Sequence, residues 1–402
     1  MTTIAQIREG LAVTITVSRG HSTITIERKT FVALIEDSWQ REAKEYLRAL
    51  KTSRISFTDL VSLGRRAEIP YTLFFAPIDV VEAQLKRKQE VLLRGVSKGT
   101  FSLNSRGTVL LADIELIVKD LLRKQQMLKR HDPDLPDNVI VGALRRSRQT
   151  VKDDADWLVA QLGVDRSYLL RVKTKELAFD HFVDWLEEHN IFVSQGMRNY
   201  MPQPIPKRAQ FSGICIRDKK VPFLFVNNGA HRDSLEPAGR RLLTLALLTV
   251  CLARSKFKPV AYSDQSDDLI ENREYEIAEE MLMPATSVAD LHVSSLDDVK
   301  AHATTYCVTP SAFLMRARRL ALIDAVTARG YMTILREEFR NRPKTQARQP
   351  KPVNALRKYN SAEYSRSLLK QMDAKRLPSS EIVRVLFQNR KAVSLNEYRA
   401  TL

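Results

Sequence analysis

Apolar positions along the chain change period several times, and each change marks an element. Val13–Val17 (VTITV) and Thr23–Ile26 (TITI) alternate with the two-residue period of strands. The intervening Ser-Arg-Gly-His-Ser can turn, so the pattern predicts a β-hairpin. From Phe31 to Leu50 the residues Phe31, Leu34, Ile35, Trp39, Ala43, Tyr46, Leu47 and Leu50 share one broad face, which predicts a helix. Ser56 is placed to cap a helix carrying Leu60, Val61 and Leu63. Pro70 is placed to open a short one that buries Tyr71, Leu73, Phe74 and Phe75. A long helix is expected over Val109–Lys129, two more over Val139–Leu162 and another over Glu176–His189.

The pattern then shifts. Ile191–Val193, Phe211–Ile216 and Phe223–Val226 are short apolar runs rich in β-formers, and Asp218-Lys219-Lys220 can turn the last two into a hairpin. An apolar helix follows over Arg240–Arg254, and a second over Glu271–Met283 is stopped by Pro284. Glu276, Glu279 and Glu280 are expected on a solvated face of that second helix. Thr309-Pro310 starts a helix through Ile323. Phe339–Val353 holds three prolines, five basic residues and no acid, so an exposed linker is expected there. Helices over Tyr364–Asp373 and Ser379–Phe387 close the chain. The fold class predicted is α+β, mainly helical, with a small mixed sheet.

Charge sharpens this reading. The 402 residues carry 64 Lys+Arg against 47 Asp+Glu, a formal +17. The segment from Asn341 to the end holds 14 basic and 4 acidic residues, so most of the surplus lies there. Such a tail points to acidic or polyanionic partners, DNA or RNA included. Three scattered cysteines form no CxxC pair, and no run approaches the ~20 apolar residues of a membrane span. A cytoplasmic protein with no membrane association is expected. No G-x-S-x-G elbow and no G-x-x-x-x-G-K-[ST] phosphate loop is found.

The helix pair after the small sheet carries the most specific signal. FSGICI (Phe211–Ile216), VPFLFVNN (Val221–Asn228), GRRLLTLA (Gly239–Ala246) and EIAEEMLMP (Glu276–Pro284) occur in this order. These stretches resemble the ImmA/IrrE family of metallopeptidases, in which helices read R-R-x-F-T-L-A-H-E-x-G-H and then E-A-N-x-F-A-A-x-L-L-M-P. The resemblance implies a zincin-like domain: two imidazoles one helical turn apart hold zinc, the Glu between them is the base, and a carboxylate from the second helix is the third ligand. In this chain those positions are Leu247, Leu248, Cys251 and Arg273. Leucine offers no lone pair and a guanidinium repels a cation, so no catalytic residue, metal or cofactor is expected there. A relocated metal would have to draw on Cys251 with His231, Glu271 or Glu274.

ISFTDLVSLGRRAEIPYTLFFAP (Ile55–Pro77), CVTPSAFLMRARRLALI (Cys307–Ile323) and Tyr359–Phe387 resemble the long members of the family, which join an XRE-type helix-turn-helix to the peptidase. The implied layout has five parts. Residues 1–54 form a hairpin plus helix in place of a helix-turn-helix, and 55–170 a helical connecting domain. Residues 171–290 form the peptidase-like domain, 291–340 a helical extension, and 341–402 a basic linker with C-terminal helices. The expected function is that of an inactive regulator holding a protein partner, a repressor, toxin or defence component. The expected contact is an edge strand presenting Val221, Phe223, Phe225 and Asn227. An alternative is a nucleic-acid-binding regulator using Arg316, Arg318, Arg319, Arg340, Arg342, Lys344, Arg348 and Lys351. A third is a metallopeptidase with a relocated metal.

Overall fold

The computed structural model describes residues 13–92, 110–206, 209, 211–229, 236–257, 259–261, 272–342, 350–388 and 393–402. They form two compact units, one from 13–92 with 110–119, the other from the described residues from 120 onward.

In the first unit the expected hairpin is present. Strands β1 (Thr14–Arg19) and β2 (Ser22–Glu27) pair antiparallel through a turn in which Gly20 takes φ +59°. Ile15, Val17 and Ile26 face the core. The helix expected over Phe31–Leu50 is broken into α1 (Arg28–Glu36), a 3-10 turn (Trp39–Glu42) and α2 (Lys44–Thr52). The break falls at Ser38, an extended residue whose hydroxyl accepts the Gln40 N–H at 3.2 Å. Ser53, at φ 55°, then reverses the chain into β3 (Arg54–Ser56), which lies parallel to β1 with Ile55 opposite Val17. Ser56 caps α3 (Phe57–Ala67), as its position suggested. In the 3-10 turn Tyr71–Phe75 only Phe74 is buried. Tyr71 and Phe75 are exposed, which corrects their expected burial. Helix α4 (Ile78–Leu92) follows. Residues 110–119 join this unit through the buried Arg41–Asp113 pair at 2.5 Å and Lys88–Glu115 at 3.2 Å.

Helix α5 (Glu115–His131) leads into the second unit. There follow α6 (Val151–Gln161), α7 (Arg166–Arg171), α8 (Lys175–Glu188), β4 (Phe192–Gln195), β5 (Phe211–Ile216) and β6 (Phe223–Val226). Residues 139–149, expected to be helical, form turns, and Thr150 starts α6 with a capping box to Asp153. Then come α9 (Ala238–Ala253), β7 (Val260–Ala261), α10 (Arg273–Leu282), α11 (Ala285–Val288), α12 (Leu296–Thr305), α13 (Pro310–Arg319) and α14 (Ala325–Asn341). The C-terminal helices are α15 (Pro352–Asn360), α16 (Ala362–Asp373), α17 (Ser379–Phe387) and α18 (Leu395–Arg399). Phe339–Asn341, expected in a linker, are the last turn of α14, and Pro352 is the first residue of α15. Among the described residues no helix is long and apolar enough to cross a membrane.

The sheet runs β4-β6-β5-β7, with β4 parallel to β6 and the other pairs antiparallel. The β5–β6 turn forms where expected. Asp218 Oδ1 accepts the N–H groups of Lys220 and Val221 at 2.9 and 3.0 Å, and the Gln125 amide donates to the Ile216 and Val221 carbonyls. Both faces are covered. Val193, Cys215, Leu224 and Val226 join the core made by α8, α9 and α10. On the other face Phe192 and Phe223 pack against the Tyr364 ring of α16, at 5.8 and 5.3 Å. The approach of α9 to the sheet is close: a Cβ on Gly213 would lie 2.5 Å from the Phe225 carbonyl oxygen and 2.8 Å from Leu248 Cδ1.

One buried carboxylate ties the C-terminal helices to this core. Glu187 of α8 accepts the N–H of Val193 at 3.4 Å and the N–H of Glu363, in the first turn of α16, at 3.0 Å. Burial raises its pKa from 4.5 to about 7. Between these two values the folded chain keeps a proton that the unfolded chain releases, so stability falls as pH rises across the window. The expected fall is about 3 kcal/mol. Urea titrations from pH 4.5 to 7 check this, and Glu187→Gln is expected to flatten that part of the profile.

Candidate functional site

A cleft of about 630 Å³ opens in the second unit where α8, α9, α10, α13 and α14 meet the β5–β7 side of the sheet. That volume falls inside the roughly 300–1,000 Å³ of small-ligand pockets. Its position follows from three local features. A Cβ on Gly239 would lie 2.6 Å from the Val308 carbonyl carbon, so the glycine brings the start of α9 against the chain entering α13. Pro310 opens α13 with Thr309 as its cap. The last two turns of α14 then extend along the opening, contributing Leu335, Arg336, Glu338, Phe339 and Arg340. The apolar lining comes mainly from Leu243, Leu247, Val260, Met315, Met332 and Leu335.

The four positions singled out by the resemblance lie in different surroundings. Leu247 lines the cleft beside Thr244. Leu248 is packed on β5, and its carbonyl accepts the Cys215 thiol at 2.9 Å. Cys251, one turn further on, is fully buried. Burial pushes its thiol pKa far up and the Glu274 carboxylate adds to the shift. Arg273 is not a lining residue. Its guanidinium pairs with Asp154 of α6 at 2.7 Å and donates to the Gln149 carbonyl. Glu274 pairs with Arg254 at 2.5 Å. Among the described residues no three His, Cys, Asp or Glu side chains are grouped to hold a metal ion. His231 and Glu271 lie outside the described residues. The helix LLTLALLTVCLA is buried as expected, yet its Leu243–Leu247 side borders open space.

The expected partner-binding strand is corrected. β6 is internal, hydrogen-bonded to β4 on one side and β5 on the other. Val221, Phe223 and Phe225 are fully buried, and the Asn227 amide is used in a bond to the Phe211 carbonyl at 2.8 Å. Among the described residues the sheet's outer strands are β4 and β7, and Val260 of β7 lines the cleft.

The expected basic face is corrected in part. Arg316 is 3% exposed. Its Nε donates to the Met283 carbonyl at 3.0 Å and Nη2 pairs with Glu280, so it is not offered to phosphate. Arg319 pairs with Glu279 at 2.9 Å and with Glu276 at 3.4 Å. Glu279 and Glu280 are therefore buried rather than solvated, and burial raises the Glu279 pKa against the opposing charge of Arg319. Arg318 is half-buried on α13, while Arg340 and Lys351 are exposed. Arg340 and Arg342 lie at the cleft, with the Arg342 guanidinium 3.9 Å from the Phe339 ring centre. Lys344 and Arg348 lie outside the described residues. Helical spacing held the missed signal: Arg316 is three residues after Phe313 and one before Ala317, on the apolar face.

No protein-family model, no curated protein and no solved structure matches this chain.

Proposed function

We propose that the chain is a catalytically inactive, ImmA/IrrE-like protein that holds a protein partner in its cleft without cutting it. The partner class is a repressor, toxin or component of a defence or mobile-element locus. One observation carries this reading: the cleft borders α9 at Leu247, the position where the resemblance calls for a metal-holding imidazole. The cleft wall is apolar at that position, where Leu243 and Leu247 of α9 line it. The neighbouring Cys251 is buried, and Arg273 is engaged by Asp154. Cleft and helix pair are what a binding protein built on a peptidase frame would retain; function is argued from this site and not from the fold alone.

Affinity capture with the full-length chain from cells carrying its native locus tests the reading. The expected result is one defined partner, recovered at full length and lost with Ala312→Trp, which fills the cleft from α13. Partner fragments whose formation depends on this protein would contradict it, as would capture indifferent to the filled cleft.

A further inference from the structure

We infer that the turn between α5 and α6 that carries Arg145, Arg146 and Arg148 is a contact for the phosphates of duplex nucleic acid, made without reading bases. It lies outside the cleft and does not depend on what the cleft holds.

The sequence sets these residues apart. From Val139 to Lys152 the chain carries no acid, and three of the four residues 145–148 are arginines. All three side chains are exposed, as is that of Lys256, which follows α9. Among the described residues no hydrogen bond, ion pair or ring contact engages any of these four side chains. The arginines near the cleft differ: Arg240, Arg316 and Arg319 pair with Glu236, Glu280 and Glu279.

The turn is anchored at both ends. The N–H groups of Gly142 and Leu144 donate to the Leu252 and Ala253 carbonyls, the last of α9, at 3.2 and 2.9 Å. Gly142 takes φ +80°, and a Cβ there would lie 3.0 Å from Ser255 Oγ, so the turn packs beside Lys256. On the other side the Ser147 hydroxyl donates to Asp154, and the Gln149 carbonyl accepts Arg273. A charged surface whose backbone is fixed in advance loses less conformational freedom on binding. Carboxylates close by are engaged: Asp153 in the α6 capping box, Asp154 by Ser147 and Arg273, and Glu274 by Arg254.

The surroundings favour phosphates over an acidic protein. A guanidinium fork serves either anion. Protein interfaces close around an apolar centre, however, and from Gly142 to Gln149 the one large apolar side chain, Leu144, is buried. The turn also holds no aromatic ring on which an unpaired base could stack, which points to a duplex. Arginine contacts to phosphate fix position and carry no sequence information.

The test is fluorescence anisotropy with the untagged full-length chain and labelled duplexes of DNA and of RNA, about 20 base pairs each, over about 50–200 mM salt. Binding of either duplex at low salt supports the inference, and the tighter of the two names the source. Arg145→Gln/Arg146→Gln/Arg148→Gln, checked to keep the wild-type urea midpoint, is expected to weaken binding about tenfold or more at low salt. It is also expected to reduce the slope of log affinity against log salt by about 2–3, since each phosphate contact contributes about 0.9. A control of equal charge, Arg329→Gln/Lys370→Gln/Lys375→Gln, removes exposed cations that also have no partner among the described residues. It is expected to keep the wild-type slope to within about 1. The inference is overturned if neither duplex binds at about 50 mM salt. It is overturned equally if the two triple variants behave alike or if a single strand displaces the duplex. Competition by poly-glutamate as strong as by duplex of equal charge would assign the turn to an acidic protein instead. None of these outcomes bears on the cleft, which partner capture tests.

Discussion

Arg316→Ala is expected to lose about 3–5 kcal/mol of unfolding free energy, read as a lowered urea midpoint with an unchanged slope. The wild-type guanidinium joins three segments. It donates to the Met283 carbonyl at the end of α10 and pairs with Glu280, whose carboxylate also accepts the Ala285 N–H at the start of α11, at 3.1 and 3.2 Å. Both partners are at most 4% exposed. Truncation leaves the Glu280 carboxylate inside the protein with one backbone donor, and burial of an unpaired charge dominates the cost. Such a loss is a large share of the roughly 5–15 kcal/mol typical of a domain. Arg316→Lys is expected to recover only part, because an ammonium cannot reproduce the two-pronged geometry. Arg316→Met with Glu280→Leu is expected to recover most of it, since an apolar pair removes both desolvated charges. A phosphate-gripping arginine on the surface would behave differently, with stability changing by less than about 0.5 kcal/mol on truncation.

Asp120→Ala is expected to cost a similar amount, about 3–5 kcal/mol, for the mirror-image reason. Lys124 of α5 has no exposed surface; its ammonium lies 2.9 Å from Asp120 Oδ2 and 4.1 Å from the centre of the Tyr359 ring. Asp120 also accepts the Tyr359 hydroxyl at 2.7 Å. Removing the carboxylate strands a buried cation and a buried donor together. Lys124→Met is expected to be nearly neutral, because Asp120 is 14% exposed and keeps the tyrosine as donor. The pH dependence separates this from simple loss of packing. Burial lowers the Lys124 pKa below its usual 10.5. Between the lowered value and 10.5 the unfolded chain binds the proton more tightly, so stability rises with pH. The deficit of Asp120→Ala is therefore expected to shrink toward pH 10, which urea titrations at several pH values would read.

The parts of the fold that could be read from the chain are those in which local and tertiary signals agree. The β5–β6 hairpin is one: two runs of β-formers flank an aspartate that bonds its own turn. Helix α9 is another, because twelve successive residues from Leu242 to Ala253 are apolar apart from two threonines. β3 was not legible, since Arg-Ile-Ser becomes a strand only by pairing with β1. The break after α1 was hidden because the apolar face continues past Ser38. The internal position of β6 is written in the sequence itself. A continuous run such as Phe-Leu-Phe-Val has no solvent face, which marks a strand buried on both sides. Its second cover, α15 and α16, comes from a region that charge alone presented as a tail.

The site was legible only as a set of substitutions. Leu247, Leu248, Cys251 and Arg273 could be named from the resemblance, but their separation into cleft, sheet contact, core and α6 contact depends on packing. The cleft itself needs α14, whose final turn lies within the basic stretch that reads as a linker. Charge density gave the right region, but whether each arginine faces a carboxylate or solvent is decided by helical phase. Arg316 and Arg340 lie on opposite sides of that division.

Elemental analysis of the full-length chain, purified without a metal-chelating tag, tests the proposal that the protein holds its partner without a metal. Zinc and other divalent metals are predicted to fall far below one ion per chain, with no change on Cys251→Ala. One tightly held ion per chain, released by that substitution, would contradict the account.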